Sequence, residues 1–317
     1  MQLLIMNIMI HYLAPVRFSS DQVRYLAAFS KADHALTPDE HYITNFYNFF
    51  LYDQLGALGS ILLSNIVLLL LINNTLLKDI KGLRLEEVIL LNTAFVFLSF
   101  MNKEIIAIFL VLYLVFSKNN ILIKVLLSSF YAYFSARYYW FIFLIMFLIN
   151  KVVSLTNRYS IIISTIIMVL VGNIFFYFIF DHFLLEQRNR TIISLWYHNP
   201  DPINTEINWL HISNDNHVNS ILNYLFAILT VMIFPFIYFL EFKIHLIFFY
   251  LVIYYLIYYF FFVRHDITKY EDQNIIILMS TFILTLLIFE PDLGSFARHL
   301  GPVFTAVAIH RARNLYS

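Results

Sequence analysis

Charged side chains are scarce in this 317-residue sequence, and the few that interrupt its apolar segments are the candidates for chemistry. Only 13% of the residues are charged, against about 25% in soluble domains. Arg137 is one of them, and Tyr138, Tyr139 and Trp140 follow it directly. A guanidinium group can bind two phosphate oxygens at once, in a geometry that an ammonium group cannot copy. Arg137, with Tyr138 beside it, could therefore hold a lipid-linked diphosphate, or it could anchor in an aromatic belt at a membrane surface.

A second cluster lies near the C-terminus and contains Glu290, Asp292, Arg298 and His299. A proline and a glycine between them interrupt any helix, so that backbone and side chains could line a water-filled site. A neutral imidazole can take a proton from a hydroxyl group, and a guanidinium can stabilise a leaving phosphate. These properties make Arg298 and His299 catalytic candidates, and Glu290 and Asp292 substrate-binding candidates. A plain loop that ends a helix would have the same appearance.

Two further charged groups have both a functional and a structural interpretation. Lys103 and Glu104 interrupt the apolar stretch 88–116, where they either line a cavity or lie in an interfacial loop between two short helices. Asp21 and Arg24 stand three residues apart, a spacing at which opposite charges pair on a helix surface. In the functional interpretation Asp21 is catalytic, and Arg24, Lys103 and Glu104 bind substrate.

Long apolar segments are the elements that must position these residues. Hydrophobic residues make up 61% of the chain, where soluble domains have about 45–50%. They gather into runs of about 15 to 25 residues, and about 20 residues cross ~30 Å of hydrocarbon. One soluble core could not bury so many runs. The sequence therefore predicts an all-α, polytopic integral membrane protein with about eight to ten transmembrane or re-entrant helices.

No internal repeat or linker divides the chain, so we predict a single transmembrane helical domain over residues 1–317. The short loops 78–87 and 150–160 carry the lysines and arginines that mark a cytoplasmic side. The polar loops at about 16–56 and 181–218 are then expected on the exoplasmic side.

The side of the membrane that Arg298 faces stays open at this stage. Two full crossings within 219–263 carry Arg298 to the cytoplasm. An outward run of 275–290, followed by a short return at 300–312, carries it to the outside.

Composition and motifs argue against several classes of function. The net charge is zero, which gives no basic surface for a nucleic acid. The absence of cysteine removes disulfides, thiolate zinc sites and cysteine nucleophiles. The loop histidines lack metal-ligand spacing, and no P-loop, dinucleotide fingerprint or HExxH motif is present. We therefore expect no cofactor, no metal and no nucleic-acid partner, and we do not expect ATP-driven transport by this chain alone.

Four short elements resemble, in their order, those of the Wzy-type (EpsG-like) polysaccharide polymerases. Segment 17–25 is similar to the R-x-x-x-D-x-x-x-Tyr stretch that follows the first span in that family. Segment 102–104 looks like its Lys-acid step between central helices, and 137–139 is similar to its Arg-aromatic step one helix later. Segment 292–299 resembles its late G-[ST]-x-x-R-H element. The resemblance extends over most of the chain.

The resemblance implies a glycosyltransferase-C-like enzyme of the bacterial inner membrane. Such an enzyme would join oligosaccharide repeat units carried on undecaprenyl diphosphate into an O-antigen, capsule or exopolysaccharide at the outer face of that membrane. Arg137 and Arg298 would bind the diphosphate and stabilise it as it leaves, and His299 or Asp21 would activate the acceptor hydroxyl. A chain-length regulator and a flippase would be its protein partners.

Two other functions stay open. Another lipid-linked transferase, such as an O-antigen ligase or an acyltransferase, would share membrane arginines but use a different acceptor. Ligase-like proteins usually carry a larger exoplasmic loop than 181–218. A non-enzymatic transporter or flippase for lipid-linked sugars predicts inverted repeats or broken helices in matching halves, and the sequence shows no such symmetry.

Overall fold

The computed structural model describes residues 66, 84–98, 104–118, 120–134, 139–153, 157–186, 217–233, 244–263, 268–290 and 293–316. Every regular element within these ranges is helical, which confirms the all-α prediction for this part of the chain. In chain order the helices are α1 (Leu85–Leu98), α2 (Glu104–Phe116), α3 (Ile121–Phe134), α4 (Tyr139–Val153), α5 (Arg158–Phe180), α6 (His217–Ile233), α7 (Ile244–Phe262), α8 (Tyr270–Phe289), α9 (Leu293–His299) and α10 (Gly301–Tyr316), with a 3₁₀ turn at Leu184–Glu186.

Two of the described helices, α5 and α8, are long and apolar enough to cross a membrane. They contain 23 and 20 residues, and at about 1.5 Å per residue they span roughly 35 and 30 Å. The other apolar helical segments with described side chains are 10–17 residues long, and Leu251–Phe262 of α7 is one of them. The larger number of crossing or re-entrant helices expected from the sequence stays a prediction.

The described residues form two compact units. The first contains the described residues up to Trp140 together with 301–316, and the second contains those within Phe141–Leu300. The prediction of a single transmembrane domain concerns the whole chain and stays a prediction.

In the first unit, α10 packs against α1 and α2, and α2 packs against α3. Arg311 on α10 pairs with Glu87 on α1, with 2.9 Å between Nε and Oε1. The buried Lys124 on α3 donates from Nζ to the carbonyl oxygens of Leu114, at 3.1 Å, and of Ser117. Carbonyls at a helix end have no partner within the helix, so Lys124 caps the end of α2.

In the second unit, the start of α8 lies at the end of α4. Lys151, in the last turn of α4, donates from Nζ to Gln273 Oε1 at 2.6 Å and to Asn274 Oδ1 at 2.7 Å. Gln273 and Asn274 belong to the first turns of α8. Because Phe143 of α4 also stacks edge-on against Phe282 of α8, the two helices run in opposite directions.

The start of α5 and the end of α7 lie together in the second unit. Arg158, the first residue of α5, donates from Nη1 to the carbonyl oxygens of Phe260 at 2.8 Å and Phe261 at 2.7 Å. Four residues separate α4 from α5 in the sequence, so α4 and α7 end where α5 and α8 begin. We call this the basic end, after Lys151 and Arg158.

The surface of α5 is the reverse of that of a soluble helix. Its buried positions recur every four residues and include Thr165 and Asn173. Thr165 Oγ1 accepts a hydrogen bond from Asn150 Nδ2 at 3.0 Å, and Asn173 Oδ1 accepts one from the Leu185 N–H at 2.8 Å. Its exposed face carries large apolar side chains: Ile163, Ile167, Val171, Ile174, Phe175, Phe178 and Ile179. Soluble helices bury their apolar stripe and expose polar residues instead.

Candidate functional site

The side chains of Glu290, Arg298 and His299 are the predicted site residues that the structure describes. Glu104 begins α2, but its side chain lies outside the described part. The other predicted residues also lie outside the described residues: Asp21, Arg24, Lys103, Arg137, Tyr138 and Asp292. The structure therefore brings together three members of the C-terminal cluster, and the predictions for the remaining residues stay predictions.

Glu290 ends α8 and is held there by its backbone. Its N–H donates to the Leu286 carbonyl at 2.8 Å, and its φ and ψ of −94° and 111° are extended. The next residue in the sequence is a proline, which disfavours helical geometry at the residue before it. The same proline sterically stops the helix, so the local sequence explains why the Glu290 side chain stands at this helix end. Glu290 is only 7% exposed.

The two carboxylate oxygens of Glu290 contact two side chains of α9. His299 Nδ1 lies 2.6 Å from Oε1, and the Ser295 hydroxyl donates to Oε2 at 2.5 Å. Ser295 and His299 are four residues apart, so they lie on one face of α9 and reach the same carboxylate. Arg298 is partly buried and precedes His299, which is 1% exposed. Burial of this network excludes water from the carboxylate and imidazole.

This geometry suits an imidazole that acts as a general base. A carboxylate 2.6 Å from Nδ1 favours the tautomer of the neutral ring that carries its hydrogen on that nitrogen, with the lone pair on Nε2. The same carboxylate stabilises the imidazolium that forms when Nε2 takes up a proton. Arg298 adds a permanent positive charge to the same short helix, and a guanidinium is suited to phosphate oxygens. The described cluster thus combines an imidazole, a carboxylate beside it and a guanidinium cation.

The cluster lies far from the basic end of the second unit. Helix α8 begins at the basic end beside Lys151, and Glu290 closes its other end, roughly 30 Å away at about 1.5 Å per residue. Helix α5 runs in the same direction and closes at Asp181, whose φ of 55° is left-handed and whose N–H donates to the Tyr177 carbonyl at 2.9 Å.

Sequence reasoning missed the role of Ser295. This residue was part of the segment that resembles the family motif, but its hydrogen bond to Glu290 was not predicted. The spacing of four residues to His299 was an available signal, because it places both side chains on one helix face. Within the described ranges, no group of three or more His, Cys, Asp or Glu side chains is arranged to hold a metal ion.

Comparison with known proteins gives no relative for this chain. No protein-family model matches it, no curated protein matches it, and no solved structure matches it.

Proposed function

We propose that this chain is a multi-pass protein of the bacterial inner membrane that polymerises undecaprenyl-diphosphate-linked oligosaccharide repeat units at the outer face of that membrane. The observation that carries the proposal is the buried network of Glu290, Ser295 and His299, with Arg298 on the same helix, at the end of its unit opposite the basic end. The product would be a surface polysaccharide of the O-antigen, capsule or exopolysaccharide type, and the architecture would be glycosyltransferase-C-like.

The exposed apolar faces support the membrane location. Helix α5 buries polar groups and exposes isoleucine, valine and phenylalanine. Helix α3 follows the same pattern, since Lys124 and Ser128 are buried whereas Leu122, Leu126 and Phe130 are exposed. A contiguous exposed apolar surface of this kind favours contact with lipid, because a helix surface that faces the hydrocarbon of a bilayer is itself apolar.

The direction of α8 supports an exoplasmic site. Lysines and arginines in short loops favour the cytoplasmic side, and Lys151 and Arg158 cluster at one end of the second unit. If that end is cytoplasmic, α8 runs outward and Glu290 and His299 face the outside. Helix α7 also ends at the basic end, which disfavours two full crossings within 219–263. These two features support the alternative in which Arg298 faces the outside.

The proposed reaction transfers the growing glycan from its lipid carrier to an acceptor hydroxyl. The acceptor oxygen attacks the anomeric carbon of the donor, and the bond from that carbon to the diphosphate oxygen breaks. The electron pair of that bond leaves with the diphosphate, whose charge Arg298 and Arg137 stabilise. The hydroxyl proton passes to Nε2 of His299, and Glu290 stabilises the imidazolium. Asp21 is the second candidate for this proton.

A complementation experiment tests the proposal. A strain deleted for this gene receives the wild type, Arg298→Ala, His299→Ala or Arg137→Ala, and its surface polysaccharide is separated on a gel. We expect the deletion strain to accumulate lipid carrying a single repeat unit. The three variants should insert at normal levels and yet fail to restore the polymer ladder, because charge neutralisation and proton uptake are lost. Lys118→Ala is the matched control, since it removes an exposed cation that is not one of the proposed site residues.

The outcomes separate the competing functions. A full ladder in the deletion strain contradicts the polymerase proposal. A ladder that forms but is not attached to its final acceptor indicates a ligase, and repeat units that accumulate on the cytoplasmic side indicate a flippase. If the arginine variants restore the ladder, the arginines are interfacial anchors and the reaction occurs at another site.

A further inference from the structure

We infer that an apolar cavity in the second unit binds a segment of the hydrocarbon chain of the phosphorylated lipid substrate, whose head group lies at α9. The inference rests on the proposed function for the identity of that lipid. The cavity has a volume of about 130 Å³ and lies among α5, α6, α7, α8 and α9. All of its lining residues belong to the second unit.

The lining of the cavity suits hydrocarbon rather than water. Ser280 is the polar residue among the described lining residues, and its hydroxyl donates to the Ile276 carbonyl at 2.9 Å. Its hydrogen-bonding group is therefore engaged within its own helix, and the remaining lining is aliphatic, aromatic or thioether. Water needs polar partners in a cavity, whereas an apolar cavity of about 150 Å³ in another protein stays dry and accepts benzene. A cavity of about 130 Å³ would hold a chain segment of roughly six carbon atoms.

The cavity reaches the helix that carries the candidate site. Phe296 on α9 and Leu300, which follows it, form part of the lining. Along α8 the lining extends from Met279 to Leu287, roughly 12 Å, toward the end that carries Glu290. His299 is three residues from Phe296 and therefore lies beside the lining face of α9, whereas Arg298 is two residues from Phe296 and lies on the opposite side of the helix. A lipid with its chain in this cavity would present its phosphate to a helix that offers a guanidinium and an imidazole.

The neighbouring surface favours a chain that enters from the bilayer. Ile162 and Ile166 line the cavity from α5 and are partly exposed. The adjacent Ile163 and Ile167 belong to the exposed apolar face of the same helix. The exposed face of α5 is therefore expected to contact the hydrocarbon of the bilayer, whereas Ile162 and Ile166 of the same helix line the cavity. Complementary charge on α9 then selects a chain with an anionic head over a neutral one.

Photolabelling of the full-length protein in nanodiscs tests this inference without requiring polymerisation. Three probes carry a diazirine within the hydrocarbon chain: a polyprenyl phosphate, the corresponding neutral polyprenol, and a phosphatidic acid. After irradiation, the labelled residues are mapped by mass spectrometry. We expect the polyprenyl phosphate to label cavity residues of α5, α7 and α8, and both other probes to label them about tenfold less, because the phosphate and the long flexible chain are both required.

Neighbouring substitutions on α5 provide a matched pair. Ile166→Trp fills the cavity and should reduce labelling by the polyprenyl phosphate about tenfold, whereas Ile167→Trp changes the outer face and should leave it unchanged. Ile283→Phe, which fills the cavity from α8, replaces Ile166→Trp if the latter does not give a monodisperse protein. Arg298→Gln should reduce labelling by the polyprenyl phosphate but not by the polyprenol.

Two results would overturn the inference: labelling that is equal for polyprenyl phosphate and phosphatidic acid, or labelling that the cavity-filling variants do not change. Its failure can be distinguished from failure of the proposed function. Normal polymer synthesis without cavity labelling contradicts only the lipid-chain site. Specific labelling in a protein that makes no polymer supports the lipid-chain site and contradicts the polymerase.

Discussion

Glu290 makes two contacts of unequal strength, and the difference has consequences for activity. Its bond to His299 becomes charge-assisted when the ring takes up a proton, and such bonds contribute about 1.5–3 kcal/mol. The hydrogen bond that Glu290 accepts from the neutral Ser295 hydroxyl is of a kind that contributes about 0.5–1.5 kcal/mol to stability. The carboxylate is therefore expected to matter more through the imidazole than through the hydroxyl.

We predict that Glu290→Gln lowers the rate of polymerisation about 100-fold. The amide keeps the shape of the side chain but cannot stabilise an imidazolium, and general acid-base catalysis contributes about 100-fold to 10,000-fold. The measurement is the initial rate of polymer formation in proteoliposomes that contain a defined lipid-linked repeat unit. Ser295→Ala is the control and should cost only about threefold to tenfold. Wild-type rates in Glu290→Gln would show that His299 does not act as a base oriented by this carboxylate.

At the level of helices, one arginine joins the start of α5 to the end of α7. The carbonyls of Phe260 and Phe261 stand in the last turn of α7, where no intrahelical N–H reaches them, and Arg158 donates to both. Helix α7 is thereby closed by a charged side chain from another helix rather than by its own sequence.

We predict that Arg158→Ala destabilises the protein by about 2 kcal/mol, because two carbonyls lose a charged donor. Thermal unfolding of the detergent-solubilised protein would measure the change. Arg158→Lys should recover part of the loss, since an ammonium group still donates but lacks the planar fork of the guanidinium. Equal melting temperatures for the wild type and Arg158→Ala would contradict this account of how α7 ends.

The pair of Arg311 and Glu87 plays a comparable role between α10 and α1. Glu87 is 1% exposed, so removing its partner leaves a buried carboxylate without its cation. We predict that Arg311→Ala costs about 3–5 kcal/mol and that adding Glu87→Gln recovers much of this loss. A double-mutant cycle of unfolding free energies measures the coupling. Additive effects of the two substitutions would show that the ion pair contributes nothing specific.

At the scale of the whole molecule, the membrane orientation is the property on which the proposed function depends. The chain contains no cysteine, so single cysteines can be introduced without a background signal. Asn157 and Asp181 are exposed and stand at opposite ends of α5. Because a helix of 23 residues is long enough to cross hydrocarbon, these two positions are expected on opposite sides.

We predict that Asp181→Cys reacts with a membrane-impermeant maleimide in intact spheroplasts, whereas Asn157→Cys reacts only after permeabilisation. The physical reason is the basic end, whose Lys151 and Arg158 favour the cytoplasm. The reversed pattern would place the candidate site in the cytoplasm and contradict polymerisation at the outer face. Labelling of both positions from one side would show that α5 does not cross.

Much of the local structure follows from the sequence alone. The apolar runs predict helices, and the described residues within those runs are helical. The proline after Glu290 predicts the end of α8. The grouping of Glu290, Arg298 and His299 was also visible, because these residues are close in sequence. Such features depend on neighbouring residues, and neighbouring residues are what a sequence pattern records.

The tertiary structure decided which distant groups meet and which way α8 runs. Lys151 contacts Asn274, and Arg158 contacts Phe260, although each pair lies far apart in the chain. Hydrophobic periodicity could not predict these contacts, because apolar faces of similar composition allow many arrangements of helices. Polar groups buried among those helices select one arrangement, since an unsatisfied donor or acceptor there costs about 1–3 kcal/mol. The sequence therefore determined the helices and the grouping of Glu290, Arg298 and His299. Only the packing of the helices decided that this group lies at the end of the second unit opposite the basic end.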